Sequence, residues 1–148
     1  MAATFEPTLR GTLPLVGRES QRSYLLDAYR DAYNGARIVS LIIGETGTGR
    51  SRLLDEVIRH SDVDRSFVVR LRFHQGDEGR SDALLRDAVI EALESRPYLR
   101  RSLESLIDQA GASNGAGIAL GRALEAIARR LHLVLAIDDL DSAGIEAL

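Results

Sequence analysis

Gly44-Glu45-Thr46-Gly47-Thr48-Gly49-Arg50-Ser51 places three glycines, one cation and a final hydroxyl within eight positions. That spacing follows the phosphate-loop pattern G-x-x-x-x-G-K-[ST] with a single exchange, arginine for lysine at position 50. The glycines let the backbone take conformations that a Cβ resists. Successive N–H groups can then face one concavity and hold a polyphosphate tail. The unpaired N–H groups and positive dipole end of a following helix add to that field. Ser51 would offer its hydroxyl to a magnesium ion. A glycine turn that binds nothing has the same composition, so the flanking segments decide between the two readings.

A second constellation lies near the far end. Leu133-Val134-Leu135-Ala136-Ile137 is an apolar run that ends in Asp138-Asp139. A carboxylate there falls at the carboxyl end of a buried strand, the edge where α/β sheets bind ligands. Asp138 would hold magnesium, in part through water, because that ion keeps much of its hydration. Asp139 would orient or deprotonate the water attacking a γ-phosphate. Alone, the pair would be read as a turn capping the next helix through Asp141 or Ser142. Together with the glycine loop, the magnesium reading is the better one.

The elements around these residues have the order such chemistry requires. Ile38-Val39-Ser40-Leu41-Ile42-Ile43 is short, apolar and β-branched, which predicts a buried strand leading into the loop. Leu53, Leu54, Val57 and Ile58 recur at helical spacing after it, for a helix from about Arg50 to His60. Upstream, Ser20 to Tyr33 predicts a helix with Leu25, Leu26, Tyr29 and Tyr33 inward, stopped by Asn34-Gly35. Residues 66–73 alternate as a second strand, with Phe67, Val69, Leu71 and Phe73 on one side and Val68, Arg70 and Arg72 on the other. Helices are expected from Ser81 or Asp82 as cap to Glu94, from Pro97 to about Gln109, and from Ile118 to Leu131. In the first of these, Leu84, Leu85, Ala88, Val89 and Ala92 face inward. Residues 111–117 read as a linker, and Ala143 begins one more helix. Strands alternating with helices predict an α/β domain with a mainly parallel sheet.

Composition narrows the function. The chain has 148 residues, 45% hydrophobic and 28% charged, as in one soluble globular domain. Net charge is −3, so electrostatics argue against direct nucleic-acid binding or a membrane surface. Cysteine is absent, which excludes disulfides and cysteine-ligated zinc. Residues 1–14 read as a loose leader without a signal-peptide core, and no apolar run reaches spanning length, so the cytoplasm is expected. All 19 basic residues are arginine. Arg50 therefore reflects either lost function or a chain-wide bias that reached the loop. His60, His74 and His132 are widely spaced and read as surface or structural residues. Gln75, Asp77 and Glu78 read as a solvated loop, and Arg100-Arg101 and Arg129-Arg130 as solvated helix faces.

Leu15-Val16-Gly17-Arg18-Glu19, the loop followed by Arg52-Leu53-Leu54, and Leu133–Leu140 together resemble the nucleotide-binding domain of AAA+-related ATPases. The likeness is to the origin-recognition-like and STAND (signal-transduction ATPase) group, including ATPase domains of large LuxR/MalT-type regulators. The resemblance implies a three-layer αβα P-loop NTPase core binding ATP or ADP with Mg2+. It places Val16 and Gly17 near the adenine, and Gly44, Glu45, Thr46, Gly47, Thr48 and Gly49 around the phosphates, continued by Arg50, Ser51 and Arg52. Ser51 and Asp138 would serve magnesium. Arg50 and Asp139 would take the catalytic positions.

Three departures follow. Arg50 replaces a compact ammonium with a planar fork. Losing one charge-assisted hydrogen bond costs about 1.5–3 kcal/mol, roughly ten- to a hundredfold in affinity. Asp139 is about 1.5 Å shorter than the glutamate of active AAA+ enzymes. Family members also continue with further strands, a sensor, an arginine finger and a lid. Residues 15–148 are thus expected to be the N-terminal part of such a domain, its sheet incomplete at the C-terminus. The strand that normally separates the two site strands would be missing, and unpaired edges would favour a protein partner or self-association. The expectation is a nucleotide-binding regulatory ATPase module with weak hydrolysis. The alternative is a degenerate interaction module, or a piece of a LuxR-type transcriptional regulator, that has lost the ligand.

Overall fold

The computed structural model describes residues 16–63, 66–111 and 116–143. The expected leader, most of the 111–117 linker and the helix after Ala143 lie outside the described residues.

The chain opens with α1 (Glu19–Tyr33) and α2 (Arg50–Val63). β1 (Phe67–Arg72), α3 (Ser81–Glu94), α4 (Pro97–Gly111), α5 (Ala116–Ala128) and β2 (Leu133–Asp138) follow, and a short 3-10 turn covers Leu140–Ala143. β1 and β2 pair in parallel, with Phe67 opposite Leu133 and Arg72 opposite Asp138. Parallel partners require a crossover, and α3, α4 and α5 supply it.

Period-2 alternation decides what each face of the sheet carries. Phe67, Val69 and Leu71, with Phe73 just beyond, turn to one side. There they pack with Ala88, Val89 and Leu93 of α3, Leu99 and Leu103 of α4, and Ile127 of α5. On the other face Arg70 pairs with Asp55 of α2, and Asp138 meets Ser51 of α2. α1 lies against α2 through a buried face of Leu25, Leu26 and Tyr29. Helices therefore cover both sides of the strands, which is the expected three-layer αβα arrangement.

Several local expectations need correction. Ile38–Ile43 joins no ladder: it has no strand assignment, and Val39, Leu41 and Ile43 are 91%, 73% and 89% exposed. The segment is apolar and β-branched as a buried strand should be, but it pairs with no strand among the described residues. Among the described residues β2 pairs on its β1 side only, and a cleft of about 170 Å³ separates it from Ile38, Ser40 and Ile42. Tyr33 is exposed rather than inward. α3 is preceded by Arg80 with no side-chain cap, so neither Ser81 nor Asp82 caps it. Leu93 of α3 is fully buried although the periodic reading left it out. α5 starts and ends earlier than expected, which leaves Arg129 and Arg130 in the turn after it.

The histidines are structural. Ser66 is buried and bonds both the Tyr29 hydroxyl at 2.8 Å and His132 Nδ1 at 2.9 Å. Tyr29 also meets the rings of His60 and His132 edge-on. His74 and Asp77 close their own loop, with the His74 amide donating to Asp77 Oδ2 at 2.8 Å.

Candidate functional site

The loop from Gly44 to Gly49 carries the backbone its sequence asks for. Gly47 and Gly49 have φ of +83° and +87°, a region an L side chain resists. α2 begins directly behind it, and its first helical bond runs from the Leu53 amide to the Gly49 carbonyl at 3.0 Å. Arg50, Ser51 and Arg52 thus occupy the first turn, where the amides are free and the dipole favours anions.

One amide of the loop is turned away from the concavity that successive N–H groups were expected to face. Thr48 donates its amide to the Glu45 carbonyl at 3.3 Å and its hydroxyl to the same oxygen at 2.7 Å. That amide closes a turn inside the loop. A Cβ built on Gly44 would lie 2.8 Å from this Thr48 hydroxyl and 3.9 Å from Arg50 Cγ, so the loop folds tightly over Gly44. The Arg50 guanidinium makes no hydrogen bond or ion pair among the described residues. Arg52 is different, because its Nε is buried and without a partner among the described residues.

The Val16–Glu19 lead reaches the loop physically. Gly17 has φ +75° and donates its amide to Glu19 Oε1 at 3.1 Å, while Val16 is exposed. Arg18 donates from Nη2 to the Thr48 carbonyl at 3.1 Å. Arg18, Gln21 and Tyr24 on this side and Thr48, Gly49 and Arg50 on the other border a hollow of about 330 Å³. The sequence marked Arg18 only as part of a family signature. Its role as a strut was hidden because nothing in the sequence says where its side chain points.

The strand-end carboxylates come to the same place. Ser51 Oγ donates to Asp138 Oδ1 at 3.0 Å, joining positions 87 residues apart. Asp138 is only 5% exposed, and its Oδ1 also accepts the Asp139 amide at 3.1 Å. Asp139 has φ +54°, the left-handed region that aspartate tolerates better than most side chains, and its carbonyl accepts the Ser142 amide at 2.9 Å. Arg72 completes the cluster, with Nε 3.1 Å and Nη2 2.5 Å from Asp138 Oδ2, and Nε 3.5 Å from Asp139 Oδ2. Burial pushes the Asp138 carboxyl up, but bonds from Arg72 and Ser51 and the charge of Arg72 outweigh it and hold it below the usual range. The same bond to Asp138 raises Arg72. Arg72 is the member of this cluster that the sequence reading placed only on the outward face of β1. Its signal was there, a charged residue on the polar face at the last position of an alternating strand.

A hydroxyl and a carboxylate within bonding distance are hard oxygen donors of the kind magnesium takes, so the residues fit that ion. No group of three or more acidic, histidine or cysteine side chains forms a cage among the described residues. Magnesium usually takes one or two protein ligands and the rest from phosphates and water.

A glycine loop opening onto a helix, with a strand-end aspartate bonded to the hydroxyl behind the loop, defines a P-loop nucleotide-binding domain. The family model described as the AAA ATPase domain matches residues 14–147, and the chain belongs to that family. It is an ATP-binding AAA+ module with a P-loop NTPase core. No curated protein and no solved structure matches it. No helix among the described residues is long and apolar enough to cross a membrane.

Proposed function

We propose that this module binds ATP or ADP together with magnesium and serves as a slow switch in a STAND-type regulatory ATPase. The contact between Ser51 and Asp138 at 3.0 Å carries the reading, because it brings the two magnesium-seeking groups of distant motifs to one point. Ser51 and Asp138 hold the ion. The amides of Gly44, Gly47 and Gly49 and the first turn of α2 receive the phosphates, with Arg50 beside them. Val16 and Gly17 lie toward the base. Asp139 stands at the position of the catalytic acid, one methylene short, and Arg50 replaces the compact lysine charge, so turnover is weak while binding persists.

Titration with a fluorescent ATP analogue, with and without magnesium, tests this. Saturable binding below millimolar nucleotide is expected. Absence of saturation at millimolar nucleotide ends the reading. Arg50→Lys separates a decayed site from a tolerated exchange. Equal affinities mean that arginine is tolerated, and tight binding gained only by the lysine form means that the parent has lost its ligand.

The exposed row Val39, Leu41 and Ile43 favours a second role alongside the first, contact with a protein partner or with another copy. Sedimentation velocity across a concentration series should show reversible association. A monomer at every concentration removes the self-association.

A further inference from the structure

Asp138 is already saturated by the protein. A carboxylate offers about four lone-pair sites. On Asp138 these receive Arg72 Nε, Arg72 Nη2, the Ser51 hydroxyl and the Asp139 amide. Half of the set comes from one guanidinium, and that guanidinium also reaches Asp139 at 3.5 Å.

The placement of Arg72 is built into the sheet. Arg72 and Asp138 are register partners across β1 and β2, and paired residues on neighbouring strands send their side chains to the same face. The two ends of the contact differ in freedom. The Asp138 side chain is 6% exposed and has nowhere to go, whereas the Arg72 side chain is 43% exposed. A long arginine stem at that exposure can turn its head into water. A buried carboxylate left without a cation is strongly disfavoured, so the pair separates only when another cation takes over.

From this geometry we infer that Arg72 is the resident counter-ion of Asp138 and Asp139 and competes with the divalent cation for them. The inference rests on the nucleotide-binding reading and adds a rule of order to it. The two carboxylates carry −2, and the Arg72 guanidinium brings the cluster to a net −1. A bare divalent ion gains little by displacing Arg72. The same ion carried by a polyphosphate brings additional ligands and does displace it. Arg72 thus restricts metal entry to the nucleotide complex and keeps the empty module metal-free.

The test measures metal binding without turnover. Free Mn2+ is followed by its paramagnetic resonance signal as the 148-residue chain is added, in the absence of nucleotide, for the parent and for Arg72→Gln. Glutamine keeps hydrogen-bond donors and loses the charge. The parent should leave Mn2+ free up to millimolar concentration, and Arg72→Gln should bind it about tenfold more tightly or better, the equivalent of about 1.4 kcal/mol. Adding Asp138→Asn to Arg72→Gln should abolish the gain. Equal Mn2+ affinity in parent and Arg72→Gln, including no binding by either, overturns the inference. So does a gain that survives Asp138→Asn, because the ion then sits elsewhere. Arg72→Ala is run in parallel and circular dichroism is recorded for each variant, so that a folded variant reports the result. Binding of the fluorescent nucleotide in the presence of magnesium, measured on separate aliquots, separates the two claims. Lost nucleotide binding with a gained Mn2+ site removes the functional reading and leaves the counter-ion role. Intact nucleotide binding with unchanged Mn2+ affinity does the reverse.

Discussion

The guanidinium of Arg18, at the mouth of α1, donates to the main-chain carbonyl of Thr48 at 3.1 Å and so ties the lead segment to the glycine loop. Thr48 is also the residue whose amide and hydroxyl close the turn onto Glu45. Arg18 therefore holds the loop at its most constrained point, from outside the loop. Arg18→Ala should weaken nucleotide binding about fivefold, the equivalent of about 1 kcal/mol for a part-buried charged hydrogen bond. Titration of the fluorescent nucleotide in EDTA reads this directly. An unchanged affinity would mean that the loop keeps its shape unaided.

Gly44 and Gly47 are glycines for different reasons, and substitution should separate them. Alanine at Gly44 would place its Cβ 2.8 Å from Thr48 Oγ1, a clash at an ordinary φ. Alanine at Gly47 meets open space but must hold φ +83°. Gly44→Ala should cost about 1–3 kcal/mol by overpacking, and Gly47→Ala about 1–2 kcal/mol from backbone conformation alone. Thr48→Ala should restore part of the loss in Gly44→Ala and none of it in Gly47→Ala. Urea denaturation of the four variants decides, and identical behaviour of both glycines toward Thr48→Ala would contradict the clash.

Glu56 on α2 links the first two helices and gives the fold a pH dependence. Arg22 bonds it at 3.0 Å from α1, and Arg59 pairs with it along α2. The Arg22 bond is the main cause that lowers the Glu56 carboxyl from its ordinary 4.5, helped by the charges of Arg59 and Arg52 and opposed by burial. A folded value below the unfolded one stabilises the protein above the unfolded pKa. That contribution fades as pH falls through the folded value. Glu56→Gln should cost about 0.5–1 kcal/mol near neutral pH, and the difference should close well below pH 4.5. Urea midpoints at neutral and strongly acid pH are the measurement, and a gap that widens in acid would reverse the sign.

Asp139 sits at φ +54° between the strand end and the 3-10 turn. Asparagine shares the tolerance of aspartate for this region. Asp139→Asn should therefore leave stability within about 0.5 kcal/mol, in the range of an ordinary surface change. Asp139→Val should cost about 1–3 kcal/mol, because a β-branched residue is strained there. If any slow hydrolysis is detected, Asp139→Asn should reduce it while nucleotide affinity stays put. Thermal melts with a phosphate-release assay separate the two effects, and equal destabilisation by both variants would show that the conformation is not the constraint.

Local chemistry made much of this domain legible. The glycine loop, the helix behind it, the alternation of Phe67, Val69 and Leu71, and the acid at the end of 133–138 all follow from spacing and periodicity. Those are properties of a few neighbouring residues, and α2, β1 and β2 stand where the pattern put them. Ile38–Ile43 departs from its local pattern for an equally physical reason. Apolar β-branched residues announce a strand, but a strand exists only when another backbone accepts its hydrogen bonds, and burial only when other side chains cover it.

By itself the sequence determined which residues could grip a polyphosphate and a hard cation, since glycine freedom, hydroxyl and carboxylate chemistry are intrinsic to the residue types. Only the tertiary structure decided that Ser51 meets Asp138 across 87 positions, that Arg18 braces Thr48, and that Arg72 occupies the carboxylates first. Those contacts depend on strand register and on helix packing, which are set by the summed burial of the whole core rather than by any local pattern.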